Sequence, residues 1–335
     1  MLVPFVIDAD SLTPDPEWTP AQLRACHKSL LDAWQHIGLL MHDSDRFEDS
    51  SLSRAVQALP QKLRPLWQEQ LERSPPVACG NGWDGSVTQS QANDICGVAS
   101  LALVDDLHAE VEFGMPEDRD ETSLHPTDTL DLDVCRLLAA GQATVFRKAI
   151  SRSATHIEVG ETFEAIWNLR FRSLAAAPIK QVSIVDRYAV EQHFICPQSR
   201  RSGLERFLLL LDRDAAGPRY LTLYSAWTSD LRDKTLPDVQ AEMQSVLRRL
   251  PNHVIKRLNL QMVPNAAFRD DGHDRFVRFG RYVWDLGLGL QVLEGAFATK
   301  RCSASFKTGE VSAGYERVER DLAGHPKTTA VKIPG

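Results

Sequence analysis

Apolar residues recur along the first half of the chain either as short continuous runs or at helical spacing. Three runs, LVPFVI, GLLMH and LALV, have the length and content of buried strands. The spacing between and after them predicts helical segments over 21–37, which Thr19 caps, and over 51–59, 61–73 and 131–150. Strands that alternate with helices predict an α/β layer with a mainly parallel sheet.

The second half repeats this alternation. Strands are predicted over 180–190, 219–227 and 259–264, with helices over 160–177, 202–214 and 238–250. Two further strands are predicted over 273–286, joined by a tight turn at Gly280 and Arg281. We therefore predict an α/β fold of two domains, each a mainly parallel or mixed sheet flanked by helices. The predicted segments are 1–150, 153–310 and a loose polar tail over 311–335.

Length and composition agree with two globular domains. The 335 residues exceed what one compact core usually holds, and 43% hydrophobic with 25% charged residues is ordinary for a globular protein. No apolar run is long enough for a membrane span, and the first residues lack the basic segment of a signal peptide. The six cysteines form no CxxC pair, which favours reduced thiols and a cytoplasmic location.

The net charge of −7 hides a difference between the two halves. Residues 1–150 carry 11 Lys and Arg against 24 Asp and Glu, whereas residues 151–335 carry 27 against 21. A nucleic-acid or other phosphate-bearing partner therefore suits the second half alone, although the two halves could simply attract each other. The sequence has no Walker motif, Gly-rich phosphate loop or GxSxG, so NTPase and serine-hydrolase activities have no support.

Acidic residues follow each of the three apolar runs of the first half. Asp8 follows the first run, Glu48 comes after the second, and Asp105 and Asp106 follow the third. Carboxyl ends of parallel strands meet at one edge of a sheet, where Mg²⁺ or Mn²⁺ would neutralise gathered carboxylates and support phosphodiester hydrolysis. Acids at strand ends are also common turn formers and helix caps, and this alternative stays open.

The first half loosely resembles PIN-like metal-dependent nucleases. The opening strand that ends in VIDAD carries the resemblance, and the later acidic positions of that family would fall on Glu48 and on Asp105 or Asp106. The resemblance implies metal-dependent cleavage of nucleic acid. The final acidic strand-to-helix segment of the family is not found in clear form.

The segment HDRFVRFGRYVWDLG, residues 273–287, carries a second resemblance. It is similar to the motif of the phospholipase D superfamily, with His273 and Arg275 in the His and Lys places and Gly287 in the Gly place. The order of helices and strands over about 155–306 resembles a divergent branch of that superfamily. A related domain closes the eukaryotic proteins that carry a microtubule-interacting and trafficking (MIT) domain, where it binds membranes and partner proteins.

This resemblance implies a metal-free reaction. In the superfamily the His attacks phosphorus and forms a covalent phosphohistidine, and the cation neutralises the phosphate oxygens. A second His, from another copy of the motif, protonates the leaving oxygen. Because this chain carries one copy, an enzyme of this type would need a homodimer that brings two His273 side chains together.

Three positions depart from the superfamily motif. Gly280 stands where an Asp would orient the His, Leu288 replaces the Ser, and Leu290 stands at the later Asn position. A nucleophilic His without an orienting acid loses control of its tautomer. Asp186 and Arg187, at the end of the strand VSIVD, could take over this role.

The sequence therefore predicts a protein that acts on nucleic acid, as a phosphodiesterase or nuclease effector of a prokaryotic defence or toxin system. The defence or toxin role follows by analogy with the fold class rather than from residue chemistry. The alternative is a catalytically degenerate phospholipase D-like module for recognition or dimerisation, which binds a partner protein or nucleic acid. His273, Arg275 and the acidic strand ends favour the enzyme, whereas Gly280 and Leu288 favour the module.

Overall fold

The computed structural model describes residues 2–13, 18–79, 83–115, 132–197, 199–268, 275–308 and 310–335. The chain divides into two compact units, Leu2–Arg152 and Ser153–Gly335. Each unit is an α/β structure with a sheet of its own, as the hydrophobic pattern predicts. No helix among these described residues is long and apolar enough to cross a membrane.

The first unit has a five-stranded parallel sheet in the order β3-β2-β1-β4-β5. Its strands are β1 (Val3–Ile7), β2 (Gly38–His42), β3 (Val77–Ala78), β4 (Leu101–Val104) and β5 (Asp133–Arg136). Its helices are α1 (Pro20–Ile37), α2 (Ser51–Ala58), α3 (Arg64–Arg73), α4 (Ala92–Cys96), α5 (Asp106–Phe113) and α6 (Thr144–Arg152). The chain runs outward in opposite directions from β1 and β4, so the topological switch point lies between these two strands.

Helix α1 begins and ends where the sequence predicts. Thr19 accepts a hydrogen bond from the backbone N–H of Gln22, whose side chain accepts from the backbone N–H of Thr19 in return. Pro20 takes the first helical position, which needs no N–H donor. At the other end, a side chain on Gly38 would collide with Trp34 and Phe5, so only glycine lets the chain turn directly from α1 into β2.

The prediction of a single helix over 131–150 is wrong for the residues before Thr144 that the structure describes. Residues Asp133–Arg136 form strand β5, which pairs with β4, and helix α6 begins only at Thr144. All four residues of β5, Asp-Val-Cys-Arg, are buried, but two of them are charged, so the strand lacks the continuous apolar run that marks β1, β2 and β4. Periodicity alone does not separate these two structures in so short a run.

The second unit has a seven-stranded mixed sheet in the order β11-β10-β9-β6-β7-β8-β12. Its strands are β6 (Gln181–Asp186), β7 (Arg219–Trp227), β8 (Ile255–Pro264), β9 (Arg275–Phe279), β10 (Tyr282–Leu286), β11 (Ala304–Lys307) and β12 (Thr329–Pro334). Its helices are α7 (Phe163–Arg170), α8 (Arg172–Ala176), α9 (Ala189–Ile195), α10 (Gly203–Asp214), α11 (Leu236–Arg248) and α12 (Glu310–Gly324). Strands β6, β7 and β8 are parallel, and β9 runs antiparallel to β6.

The hairpin of β9 and β10 confirms the predicted turn. Phe279 pairs with Tyr282, so Gly280 and Arg281 form a two-residue loop, and Gly280 has a φ of 53°. Glycine at the first central position suits the tight turns that match the twist of paired strands. Gly280, at which the predicted resemblance to the phospholipase D motif departs from an Asp, therefore lies at the apex of a turn.

The predicted loose tail over 311–335 is wrong. It forms most of α12 and the whole of β12, which pairs with β8 from Thr329 to Pro334. Tyr315, Val318 and Ile333 are buried, so a few well-spaced apolar residues anchor an otherwise polar segment. The low overall content of large apolar residues is what made this segment look loose in the sequence.

Candidate functional site

The first candidate site lies at the switch point of the first sheet. Asp8 follows β1, and Asp105 and Asp106 follow β4, its neighbour in the sheet. Ligands of open α/β sheets bind at this position, outside the carboxyl ends of the strands. The sheet thus brings three of the four predicted metal-ligating residues to one edge, and the orientation of each carboxylate decides what it can bind.

Asp8 is buried and its carboxylate is tied to the backbone. One oxygen accepts the N–H of Asp10 at 3.0 Å, and the other accepts the N–H of Val87 at 2.8 Å. Burial raises the pKa of Asp8 above its ordinary value, and these two N–H groups offset part of that rise. Asp8 is 2% exposed and caps the short helical turn that follows it, as the alternative interpretation of these acids expects.

The other three acids also have partners of their own. Asp105 caps α5 and holds His108, with 3.0 Å between Oδ2 and Nδ1, and this bond raises the pKa of His108. Asp106 forms an ion pair with Arg136 at 2.9 Å. The Glu48 side chain is 71% exposed and lies 3.7 Å from Arg46.

These carboxylates do not fit the predicted Mg²⁺ or Mn²⁺ site. Among the described residues, no group of three or more His, Cys, Asp or Glu side chains is arranged to hold a metal ion. Backbone N–H groups and an arginine occupy the oxygens that a cation would need, so we derive no metal-dependent step here. What this edge does offer is a carboxylate–imidazole pair, Asp105 and His108, which can pass a proton.

Asp105 also lines a cavity of about 330 Å³. Its walls are partly acidic and partly apolar, and they include Asp10, Asp105, Asp106, Trp18, Leu107 and Leu137. The switch point therefore has a small pocket, and Asp105 is part of its acidic wall. The apolar lining residues were not among the candidates from the sequence, because single apolar residues next to strand ends carry no distinctive pattern.

The second candidate site lies at the end of β6 in the second unit. Asp186 is the last residue of β6 and pairs in register with Arg275, the first residue of β9. Its carboxylate is buried and accepts the backbone N–H groups of Tyr188, at 3.0 Å, and Leu290, at 2.7 Å. Asp186 is predicted from the sequence to lie near the segment 273–287, and the pairing of β6 with β9 places it directly across from Arg275.

Arg187 and Arg275 both lie against the ring of Tyr188. The guanidinium carbon of Arg275 is 4.9 Å from the ring centroid, and that of Arg187 is 5.2 Å from it. Arg187 donates from Nε to the Asn265 side chain at 2.7 Å, and Arg275 donates to the carbonyl of Gly287 at 2.8 Å. We call Asp186, Arg187, Tyr188, Asn265 and Arg275 the Tyr188 site.

Two members of the Tyr188 site were not predicted. Tyr188 stands directly after Asp186 and Arg187 in the sequence, so its position next to two predicted site residues is the signal that could have identified it. Asn265 follows β8, and nothing in its local sequence indicates that it meets Arg187. His273, the predicted nucleophile, lies outside the described residues.

Comparison with solved structures finds a weak likeness to part of the chain. No family model matches the chain, and no curated protein matches it. Part of the chain is similar in structure to the crystal structure of phosphatidylserine synthase from Haemophilus influenzae Rd KW20, with 12% sequence identity and a TM-score of 0.32. The match covers 58% of this chain and 46% of that chain, so it spans less than half of that protein. The resemblances to PIN-like nucleases and to MIT-domain proteins stay predictions.

Proposed function

We propose that the second unit binds a phosphate group of nucleic acid at the Tyr188 site and that the chain acts as a phosphodiesterase there. The observation that supports this proposal is the meeting of two guanidinium groups, Arg187 and Arg275, on one tyrosine ring. Two such groups offer several N–H donors to one anion, and arginine recognises phosphate oxygens in pairs.

The framework around the two arginines is rigid. Arg275 belongs to β9, which is paired on both sides by β6 and β10, and Asn265 holds the Arg187 side chain. The carboxylate of Asp186 is committed to two backbone N–H groups, which fix the turn after β6 and the segment at Leu290. Fixed donors lose little freedom on binding a ligand, so they favour a specific anion site.

Hydrolysis rests on His273, which the sequence motif assigns as the nucleophile. The imidazole would attack phosphorus and form a phosphohistidine while the leaving oxygen departs with a proton, and water would then release the phosphate. Arg187 and Arg275 would hold the phosphate oxygens during both steps and stabilise their charge. A homodimer would supply the second His273 as the proton donor.

A second function, recognition without cleavage, is favoured by the hairpin turn at Gly280. The superfamily places an orienting acid at this position, whereas this chain uses it for a φ of 53°. Replacing Gly280 with Asp would strain the turn rather than restore that acid. In this form of the proposal the Tyr188 site binds nucleic acid or a partner protein and the motif no longer catalyses.

The first test measures nucleic-acid binding by variants of the Tyr188 site. We expect Arg187→Ala and Arg275→Ala each to weaken binding of labelled DNA or RNA by about tenfold or more, because each removes a charged donor worth about 1.5–3 kcal/mol. Fluorescence anisotropy at fixed salt would measure the dissociation constant. The matched control is Arg232→Ala, an exposed arginine of the same unit.

Unchanged affinity in both Arg187→Ala and Arg275→Ala would contradict the proposal, provided that circular dichroism shows folded protein. Cleavage assays in EDTA and in Mg²⁺ or Mn²⁺ then separate the two forms of the proposal. Cleavage that survives EDTA and is lost in His273→Ala supports the phosphodiesterase, whereas binding without cleavage supports the recognition module. Growth arrest on expression, relieved by the same variants, would test the defence or toxin role.

A further inference from the structure

The second unit carries a larger cleft, of about 1220 Å³, that none of the Tyr188-site residues line. The end of α9, the loop that follows it and the start of α10 form one part of its wall. The segment directly after Leu293 and one side of α11 form the rest. A cleft of this size accepts a ligand much larger than a single phosphate group.

Arginines dominate one side of the cleft. The side chains of Arg200, Arg201 and Arg206 have no ion pair within 4.0 Å among the described residues. Two of the three acids of the cleft are already engaged. Glu205 pairs with Arg249 at 3.4 Å, and the Glu242 carboxylate lies 3.1 Å from His193. With Glu294 as the third acid, the lining has four arginines against three glutamates, so the cleft presents a net positive charge to a ligand.

Arg206 is fixed in place within this cleft. Its guanidinium carbon lies 4.1 Å from the ring centroid of Phe163, and it donates a hydrogen bond to the carbonyl of Gly295. Burial and the nearby charge of Arg201 both lower the pKa of Arg206. Two guanidinium groups that repel each other are stabilised by an anion placed between them.

A hydrogen-bonded chain holds the walls of the cleft together. The imidazole of His193 lies between Ser202 Oγ, at 2.7 Å, and Glu242 Oε1, at 3.1 Å, and thus joins α9, the start of α10 and α11. Ser202 also caps α10 by accepting the N–H of Glu205 at 3.1 Å. The loop that carries Arg200 and Arg201 is consequently anchored directly after these two residues.

An exposed aromatic ring lines the same cleft. Phe297 is 55% exposed, although its backbone is fixed by a bridge to Thr162. An exposed phenyl ring in the same cleft as exposed arginines suits single-stranded nucleic acid, whose bases can stack on the ring while its phosphates meet the cations. In a duplex the bases are stacked on one another, so a ring inside a cleft cannot reach their faces.

We propose that this cleft binds a single-stranded segment of nucleic acid, with phosphates at Arg200 and Arg201 and a base stacked on Phe297. This proposal rests on the proposed function and adds its substrate class, an unpaired strand. Arg206 provides fixed positive charge within the cleft, whereas Arg200 and Arg201 are exposed and can follow the backbone of the strand.

The test compares binding of a labelled oligothymidylate, the matching oligouridylate and a duplex of equal length by the full chain. We expect the Arg200→Ala/Arg201→Ala double variant to bind either single strand at least tenfold more weakly than the wild type. The salt dependence of its binding should also be less steep by about 1.4, because two phosphate contacts are lost. Phe297→Ala should weaken single-strand binding at least fivefold and leave the salt dependence unchanged. The control double variant, Arg232→Ala/Arg248→Ala, should bind like the wild type.

The outcomes separate this proposal from the proposed function. Wild-type affinity in both cleft variants, with weak binding by Arg187→Ala, would overturn the cleft and leave the Tyr188 site standing. If single-strand binding is weak in Arg200→Ala/Arg201→Ala and in Phe297→Ala but normal in Arg187→Ala, the cleft is supported as the binding site and the Tyr188 site is not. Equal losses for duplex and single strand would overturn the strand specificity. Binding of phosphatidylserine–phosphatidylcholine vesicles through Arg200, Arg201 and Phe297, without oligonucleotide binding, would overturn the proposal in favour of a membrane site.

Discussion

Gly289→Ala is expected to lower the free energy of unfolding of the second unit by about 4 kcal/mol, through a strained backbone and a steric collision. Gly289 has a φ of 57°, which side chains other than glycine rarely adopt. A Cβ atom there would collide with Oδ2 of Asp186, the oxygen that accepts the Leu290 N–H. Asp186 is 1% exposed, so its carboxylate cannot move aside without breaking that hydrogen bond.

Urea unfolding followed by circular dichroism measures this effect, and Gly314→Ala is the matched control. A Cβ on Gly314, inside α12, would meet nothing within 4 Å, so alanine should stabilise that helix by about 0.5–1 kcal/mol. If Gly289→Ala unfolds at the same urea concentration as the wild type, the Asp186 carboxylate does not lie as close to the backbone of Gly289 as the structure places it. The same variant should also weaken binding at the Tyr188 site, because Asp186 pairs with Arg275 in register.

Acid is expected to destabilise the first unit through His27, by about 2 kcal/mol between pH 7 and pH 5. Burial lowers the pKa of His27 to about 4, from the ordinary 6.5. Its Nδ1 accepts the indole N–H of Trp67 at 3.1 Å, which requires the neutral ring. The unfolded chain binds a proton below pH 6.5 and the folded chain does not, so stability is present above that pH and is lost as the pH falls towards 4.

The His27→Gln variant isolates this effect, because glutamine keeps an acceptor for Trp67 but does not titrate. We expect its free energy of unfolding to fall about 2 kcal/mol less than that of the wild type between pH 7 and pH 5. His42, whose pKa burial also lowers, has the same sign and keeps part of the acid sensitivity in this variant. Parallel pH profiles for the wild type and His27→Gln would show that His27 is not the group responsible.

The elements with strong local signals were predictable from the sequence. Thr19, Pro20 and Gly38 mark the two ends of α1, and Gly280 marks the β9–β10 turn, because each of these residues satisfies a local backbone requirement. Strand β5 and the C-terminal pair α12 and β12 were missed. Their stability comes from burial against distant parts of the chain, and the local pattern does not contain that information.

In the candidate sites, too, the local features were predictable from the sequence and the long-range contacts were not. Asp8, Asp105 and Asp106 follow two neighbouring parallel strands, which the order of elements in the sequence indicates, but the sequence did not reveal that Val87 donates to Asp8 or that Arg136 pairs with Asp106. These partners are far away in the sequence and turn a set of candidate ligands into caps and ion pairs. The Tyr188 site likewise depends on the pairing of β6 with β9, which brings Asp186 next to Arg275.

The pairing of β12 with β8 has a consequence for the order in which the second unit folds. Strand β12 pairs with a strand that lies far away in the sequence. Its first residue, Thr329, pairs in register with Met262, 67 positions earlier in the chain. The backbone edge of β8, a ten-residue strand, therefore stays open during synthesis until the residues up to Pro334 have been made. An open edge of this length is a template for pairing with another chain. Shortened chains that end before β12 are accordingly expected to aggregate through the open edge of β8.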